Sequence, residues 1–175
     1  MVLLLENGKG KEYYENGRIQ FEGEYLKGRR WNGKGFDYLG NYDFEIKNGK
    51  GIGKEYNYFA SLKFEGEYFN GLKNGKGKEY SDDGKLIFEG EYLNGKKISG
   101  KGYDNGNMIL LLKKGKGTEY YNNGKIQFEG DYMDGKRWNG KGYDHKGNYC
   151  FKSKMEKEKE QNMIIMENLY MKVNI

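Results

Sequence analysis

The chain has 175 residues, of which 29 are glycine and 17 tyrosine, and it contains no proline. Charged residues make up 33% and aromatics 16%; the first figure excludes a large aliphatic core, and the second argues against disorder. The net charge of +5 comes from 31 basic and 26 acidic residues interleaved along the chain, so nucleic acid is an unfavoured partner.

In chain order, the opening run from Met1 to Leu5 aligns on Met108–Leu112, which makes it the second strand of a hairpin whose first strand is missing. The array therefore starts in mid-repeat. Alternation puts Leu3 and Leu5 inward and Val2 and Leu4 outward, so strand 2–5 reads as an open edge suited to self-association. Next comes a GKGKEY string ending at Tyr13, then Ile19, Phe21, Gly23 and Tyr25 alternating with Gln20, Glu22 and Glu24, the period-2 pattern of a half-buried strand. Asn16-Gly17 separates the two and predicts a type I′ hairpin turn, while Lys27-Gly28 turns the chain toward the next hairpin. A shorter unit follows from Gly33.

The long unit returns with Phe64, Gly66 and Tyr68, again with Phe88, Gly90 and Tyr92, and a fourth time with Phe128, Gly130 and Tyr132. Each follows a string ending at Tyr56, Tyr80 or Tyr120. Asp83-Gly84 and Asn123-Gly124 repeat the Asn16-Gly17 signal; Asn70-Gly71, Asn94-Gly95 and Asp134-Gly135 repeat the second turn. Short units recur at Gly100 and Gly140, and residues 1–44 match 108–151 throughout, Trp31 with Trp138 included. The inward glycines leave room for a facing ring or a neighbouring backbone. The predicted fold is all-β: an elongated single-sheet array of antiparallel β-hairpin repeats over residues 1–151. In the tail, 152–175, a Lys/Glu-rich stretch precedes Met163, Met166, Tyr170 and Val173 at helical spacing, which predicts a short C-terminal α-helix that caps the array or binds a partner.

Reaction chemistry finds little support. His145 is the only histidine and falls in a turn; Cys150 is the only cysteine, so neither a disulfide framework nor a four-ligand zinc site is available. The paired carboxylates Glu22/Glu24 recur at Glu65/Glu67, Glu89/Glu91 and Glu129/Asp131, and a ladder repeated four times is a solvent face, not a catalytic pair. No helix is predicted after any GKG string, so these are not phosphate loops. No catalytic, cofactor-binding or metal-ligating residue is assigned, and no cofactor is expected. Basic pairs at Arg29-Arg30, Lys96-Lys97 and Lys136-Arg137 fall in equivalent hairpin connections and are the candidate contacts for an acidic partner or anionic lipid.

FEGEY followed by a glycine turn and then GKG, repeated from Gly8 to Phe151, resembles the MORN (membrane occupation and recognition nexus) repeat family, whose units pair a glycine-framed YxG element with a second GxG element. Phe-Glu-Gly replaces Tyr-x-Gly in most units here, and tryptophan is present only at Trp31 and Trp138. The resemblance implies a non-catalytic scaffold or protein-interaction module, since such arrays are associated with membranes, cytoskeleton and homodimerisation. Peripheral binding to anionic phospholipid is the alternative, and an antitoxin-like inhibitor of a partner protein is the second alternative. No run reaches the ~20 apolar residues of a membrane span. The expected location is cytoplasmic, peripheral to a membrane or cytoskeleton in some readings.

Overall fold

The computed structural model describes residues 7–133 and 136–153. These form fourteen antiparallel strands and no helix, in two compact units divided at Lys96/Lys97. The fold is an all-β array of antiparallel hairpins. The expected edge strand at 2–5, the turn Asp134-Gly135 and the C-terminal helix lie outside the described residues.

The first unit holds β1 (Asn7–Tyr13), β2 (Ile19–Leu26), β3 (Arg29–Phe36) and β4 (Tyr42–Ile46), hydrogen-bonded in that order. They are followed by β5 (Gly51–Tyr56), β6 (Leu62–Phe69), β7 (Leu72–Tyr80) and β8 (Leu86–Leu93), again in sequence order. The expectation of one uninterrupted sheet needs correction here. Between β4 and β5 only Lys47 and Lys50 bridge, and the ladder breaks. The turn glycine Gly49 instead donates its N–H to the Trp31 carbonyl at 2.8 Å and accepts from the Gly71 N–H at 2.9 Å. Its hydrogen bonds run toward β3 and the next turn, leaving β5 to begin a second sheet. The second unit runs β9 (Lys96–Asp104), β10 (Asn107–Lys113), β11 (Lys116–Tyr120), β12 (Ile126–Met133), β13 (Lys136–Tyr143) and β14 (Tyr149–Ser153), each beside its predecessor.

Two kinds of turn join the strands. Lys27-Gly28, Asn48-Gly49, Asn70-Gly71, Asn94-Gly95, Asn105-Gly106 and Lys114-Gly115 have positive φ at both residues, the type I′ signature. At Asn16-Gly17, Asp83-Gly84 and Asn123-Gly124 the I′ expectation is wrong, because only the glycine has positive φ. Tyr14 N–H bonds the Arg18 carbonyl at 2.9 Å and Gly17 N–H the Tyr14 carbonyl at 3.1 Å, which makes a three-residue loop of a type I turn closed by a left-handed residue. The Asn16 side chain, accepting the Arg18 N–H at 3.0 Å, supports the loop and explains the preference for Asn or Asp there. Loops 37–41, 57–61 and 144–148 follow the same scheme; in 57–61 the left-handed position is Ala60, at φ 66°.

The core is a thin line of rings. Phe21, Phe64, Phe88 and Phe128 are at most 2% exposed. Each meets the tyrosine four residues on edge-to-face, at 5.7–5.8 Å between centroids for Phe88–Tyr92, Phe128–Tyr132, Phe21–Tyr25 and Phe64–Tyr68. Such pairs contribute about 0.5–1.5 kcal/mol each beyond their buried area. Glycines make room for them, as predicted. Gly10, Gly23 and Gly33 lie opposite one another across β1, β2 and β3. A Cβ on Gly33 would sit 2.3 Å from the Glu22 carbonyl oxygen and 2.7 Å from the Phe21 ring, so backbone and ring together forbid a side chain. Gln20, which alternation puts on the solvent face with Glu22 and Glu24, is instead buried, its Nε2 donating to the Tyr56 carbonyl at 3.4 Å where β5 approaches β2.

Candidate interaction surface

Charged side chains at the strand ends serve the repeat first. Tyr25 Oη donates to Glu12 Oε1 at 2.6 Å, while Arg30 Nε and Nη2 donate to the two carboxylate oxygens at 2.8 and 2.5 Å. The Arg30 guanidinium lies 4.6 Å from the Phe21 ring centroid, and its Nη1 donates to the Lys54 carbonyl at 2.9 Å. Burial opposes ionisation of Glu12, but the hydrogen bonds and charge of Arg30, with the Tyr25 hydroxyl, hold its carboxyl below the ordinary carboxylate range. Burial, then donation to Glu12, pushes the Tyr25 hydroxyl up.

This four-residue strut recurs. Tyr68 donates to Glu55 at 2.6 Å, and Lys73 pairs with Glu55 at 3.0 Å while lying 4.0 Å from the Phe64 centroid. Tyr132 donates to Glu119, Arg137 bonds Glu119 at 2.9 and 2.5 Å, and its guanidinium lies 4.8 Å from the Phe128 centroid. The glutamates were missed from sequence, though a signal exists: tyrosine follows glutamate by 13 positions and arginine by 18. Glu79, Phe88, Tyr92 and Lys97 have the same spacing.

Of the six basic candidates, Arg30 and Arg137 are thus drawn into ion pairs across an aromatic ring. Arg29 and Lys136 are exposed at the starts of β3 and β13; Lys96 is exposed and Lys97 half-buried at the start of β9. His145 sits in an exposed loop, its carbonyl accepting from Asn123 Nδ2 at 3.0 Å, and Cys150 is an exposed free thiol. Among the described residues no cluster of three His, Cys, Asp or Glu could hold a metal, and no helix is long and apolar enough to cross a membrane.

The face opposite the rings carries the repeated carboxylates, in rows set by strand register. Lys11, Glu22, Lys34 and Glu45 lie side by side across β1–β4, and Lys54, Glu65, Lys78 and Glu89 across β5–β8. Opposite charges alternate, as expected for a solvent face of paired acids and bases; Lys11–Glu22 closes to 3.2 Å. Loop tips differ more. Leu39 and Phe59 are 71% and 69% exposed, beside Tyr38 and Tyr58, where the other three-residue loops carry Glu15-Asn16, Asp82-Asp83, Asn122-Asn123 and His145-Lys146.

No protein-family model matches the chain, and no curated protein matches it.

Proposed function

We propose that this chain is a non-catalytic scaffold or protein-interaction module built from repeats of the MORN type, and that it self-associates. One observation carries the reading: the Glu–Phe–Tyr–Arg/Lys strut recurs with constant spacing in three long units, so the perturbed glutamates and arginines are structural parts of the repeat. Perturbed ionisation marks a reaction site when groups converge in one cleft, and here the struts recur along the strands, one to a long unit. What each repeat offers to a partner is an ordered strand face and a loop edge. Glycine-framed hairpins whose rings cover neighbouring backbone support the MORN-type reading of the repeats. Ion pairing of Arg30 and Arg137 removes two of the six cations on which lipid binding relied.

The test combines light scattering with affinity capture. Molar mass should rise with concentration, and immobilised full-length chain should retain specific proteins that an unrelated β protein of equal charge does not. A strictly monomeric chain that retains nothing beyond the control would sink the reading.

A further inference from the structure

The alternation of charge seen in the rows across β1–β4 and β5–β8 is interrupted in the second unit. Its two facing rows run Lys101, Leu111, Thr118, Glu129, Lys141, Lys152 and Ser99, Lys113, Lys116, Asp131, Asn139. Lysine therefore stands directly opposite lysine twice, Lys113 with Lys116 and Lys141 with Lys152. Like charges in that position destabilise a sheet; Lys113 and Lys116 flank a turn as Lys47 and Lys50 do in the first unit, whereas Lys141 and Lys152 face each other within paired strands. All four lysines are exposed, and none makes an ion pair among the described residues.

The four surround an open trough of about 480 Å³ whose lining includes Leu111, Thr118, Gly117, Gly130 and Gly140. Asn139, also in the lining, holds its Oδ1 buried with no hydrogen-bond partner among the described residues. Elsewhere the equivalent acceptor is satisfied by a backbone amide: Asn32 Oδ1 by the Asn48 N–H at 2.7 Å, Asn74 Oδ1 by the Asn94 N–H at 3.1 Å. In the second unit the counterpart of the Asn48 N–H belongs to residue 155, outside the described residues.

We propose that this trough binds an extended acidic peptide segment of a partner protein, with Lys113, Lys116, Lys141 and Lys152 pairing with its carboxylates. The trough crosses β10 to β14, four strand spacings or about 19 Å, which an extended chain spans in about six residues. Glu129 and Asp131 lie within it and repel a dense polyphosphate, whereas a peptide can place amides there and acids at the rim. The inference rests on the interaction-module reading and names the partner's chemistry.

The test is fluorescence anisotropy of the full chain with a labelled peptide of alternating glutamate and threonine. Binding should weaken with salt. It should fall at least tenfold in the double variant Lys141→Glu/Lys152→Glu, and be unchanged in Lys34→Glu. Lys152→Glu alone should raise the melting temperature by relieving Lys141, which separates lost binding from lost folding. Absence of peptide binding, or equal binding by a single-stranded DNA of the same charge, would overturn the proposal. So would zero-length cross-links from Lys141 or Lys152 to the chain's own Glu156, Glu158 or Glu160 that the peptide does not compete away. If the peptide fails while the chain still retains partners that the lysine variants do not release, the module reading stands and this inference alone is lost.

Discussion

Residues 7–46 and 114–153 are two copies of one pattern, each residue of the second lying 107 positions beyond its counterpart, as Glu119 lies beyond Glu12. Their interiors agree: Phe21 and Phe128 are both 0% exposed, and the same glutamate–tyrosine–arginine strut stands over each ring. Their margins do not. Phe44 is 6% exposed because Tyr68 of β6 packs against its cluster, whereas Phe151 is 46% exposed and no described strand follows β14. The loop tip Tyr38-Leu39 has become His145-Lys146, and the alternating outer row has gained facing lysines. Within a hairpin the repeat is self-sufficient. Burial at its margin depends on what comes next, and exposed positions are free to diverge.

Substitutions at equivalent positions would break or sharpen that comparison. Phe44→Ala should cost about 3–5 kcal/mol and Phe151→Ala under about 1 kcal/mol, read by urea unfolding; equal losses would mean that Phe151 is covered after all. Arg30→Ala leaves Glu12 unpaired where both side chains are under a fifth exposed, and should cost about 3 kcal/mol. Arg137, with 35% of its side chain exposed, is screened by water and should cost about 1 kcal/mol when replaced by alanine.

Titration probes the same struts. The folded-state values of Glu12 and Glu119 are depressed, so their contribution is full above the ordinary value of 4.5 and is lost as pH falls through the folded values. Tyr14, pushed up to about 12 first by burial and then by the nearby Asp43, contributes below its ordinary 10.0 and stops doing so as pH rises toward 12. Stability measured against pH should therefore fall at both ends, and a flat acid limb would contradict the strut.

Smaller effects are expected at three backbone sites. A Cβ at Gly35 would overlap the Phe44 ring at 2.0 Å and at Gly142 the Phe151 ring at 2.3 Å; only the second ring is free to swing into solvent. Gly35→Ala should therefore cost about 1–3 kcal/mol and Gly142→Ala less than half of that. Ala60→Gly removes the strain of an L residue at φ 66° and should stabilise by about 0.5 kcal/mol, seen as a small rise in the unfolding midpoint.

Much of this was legible beforehand. Strand alternation placed Phe21, Tyr25, Phe64 and Phe128 inward, and Gly23 against neighbouring backbone, because a period of two leaves one choice once a face is apolar. Asn16-Gly17 was misread because the dipeptide suits both a two-residue I′ turn and the end of a three-residue loop; strand register separates them. The basic pairs were grouped by adjacency, yet Arg29 and Arg30 point to opposite faces of β3, and only Arg30 reaches Glu12. The unmatched lysines escaped notice because Lys141 and Lys152 become neighbours only through strand pairing.

The amino-acid sequence by itself determined the hairpins, their repeat and the ring-and-glycine core, since each follows from local alternation, turn chemistry and spacing within a few dozen residues. Only the tertiary structure decided where the ladder breaks at Lys47–Lys50, which cations are neutralised, and where Lys141 comes to face Lys152. Those outcomes turn on which carbonyl or carboxylate a group meets across strands, and hydrogen bonds of a few ångströms between distant residues leave no local mark in the order of residues.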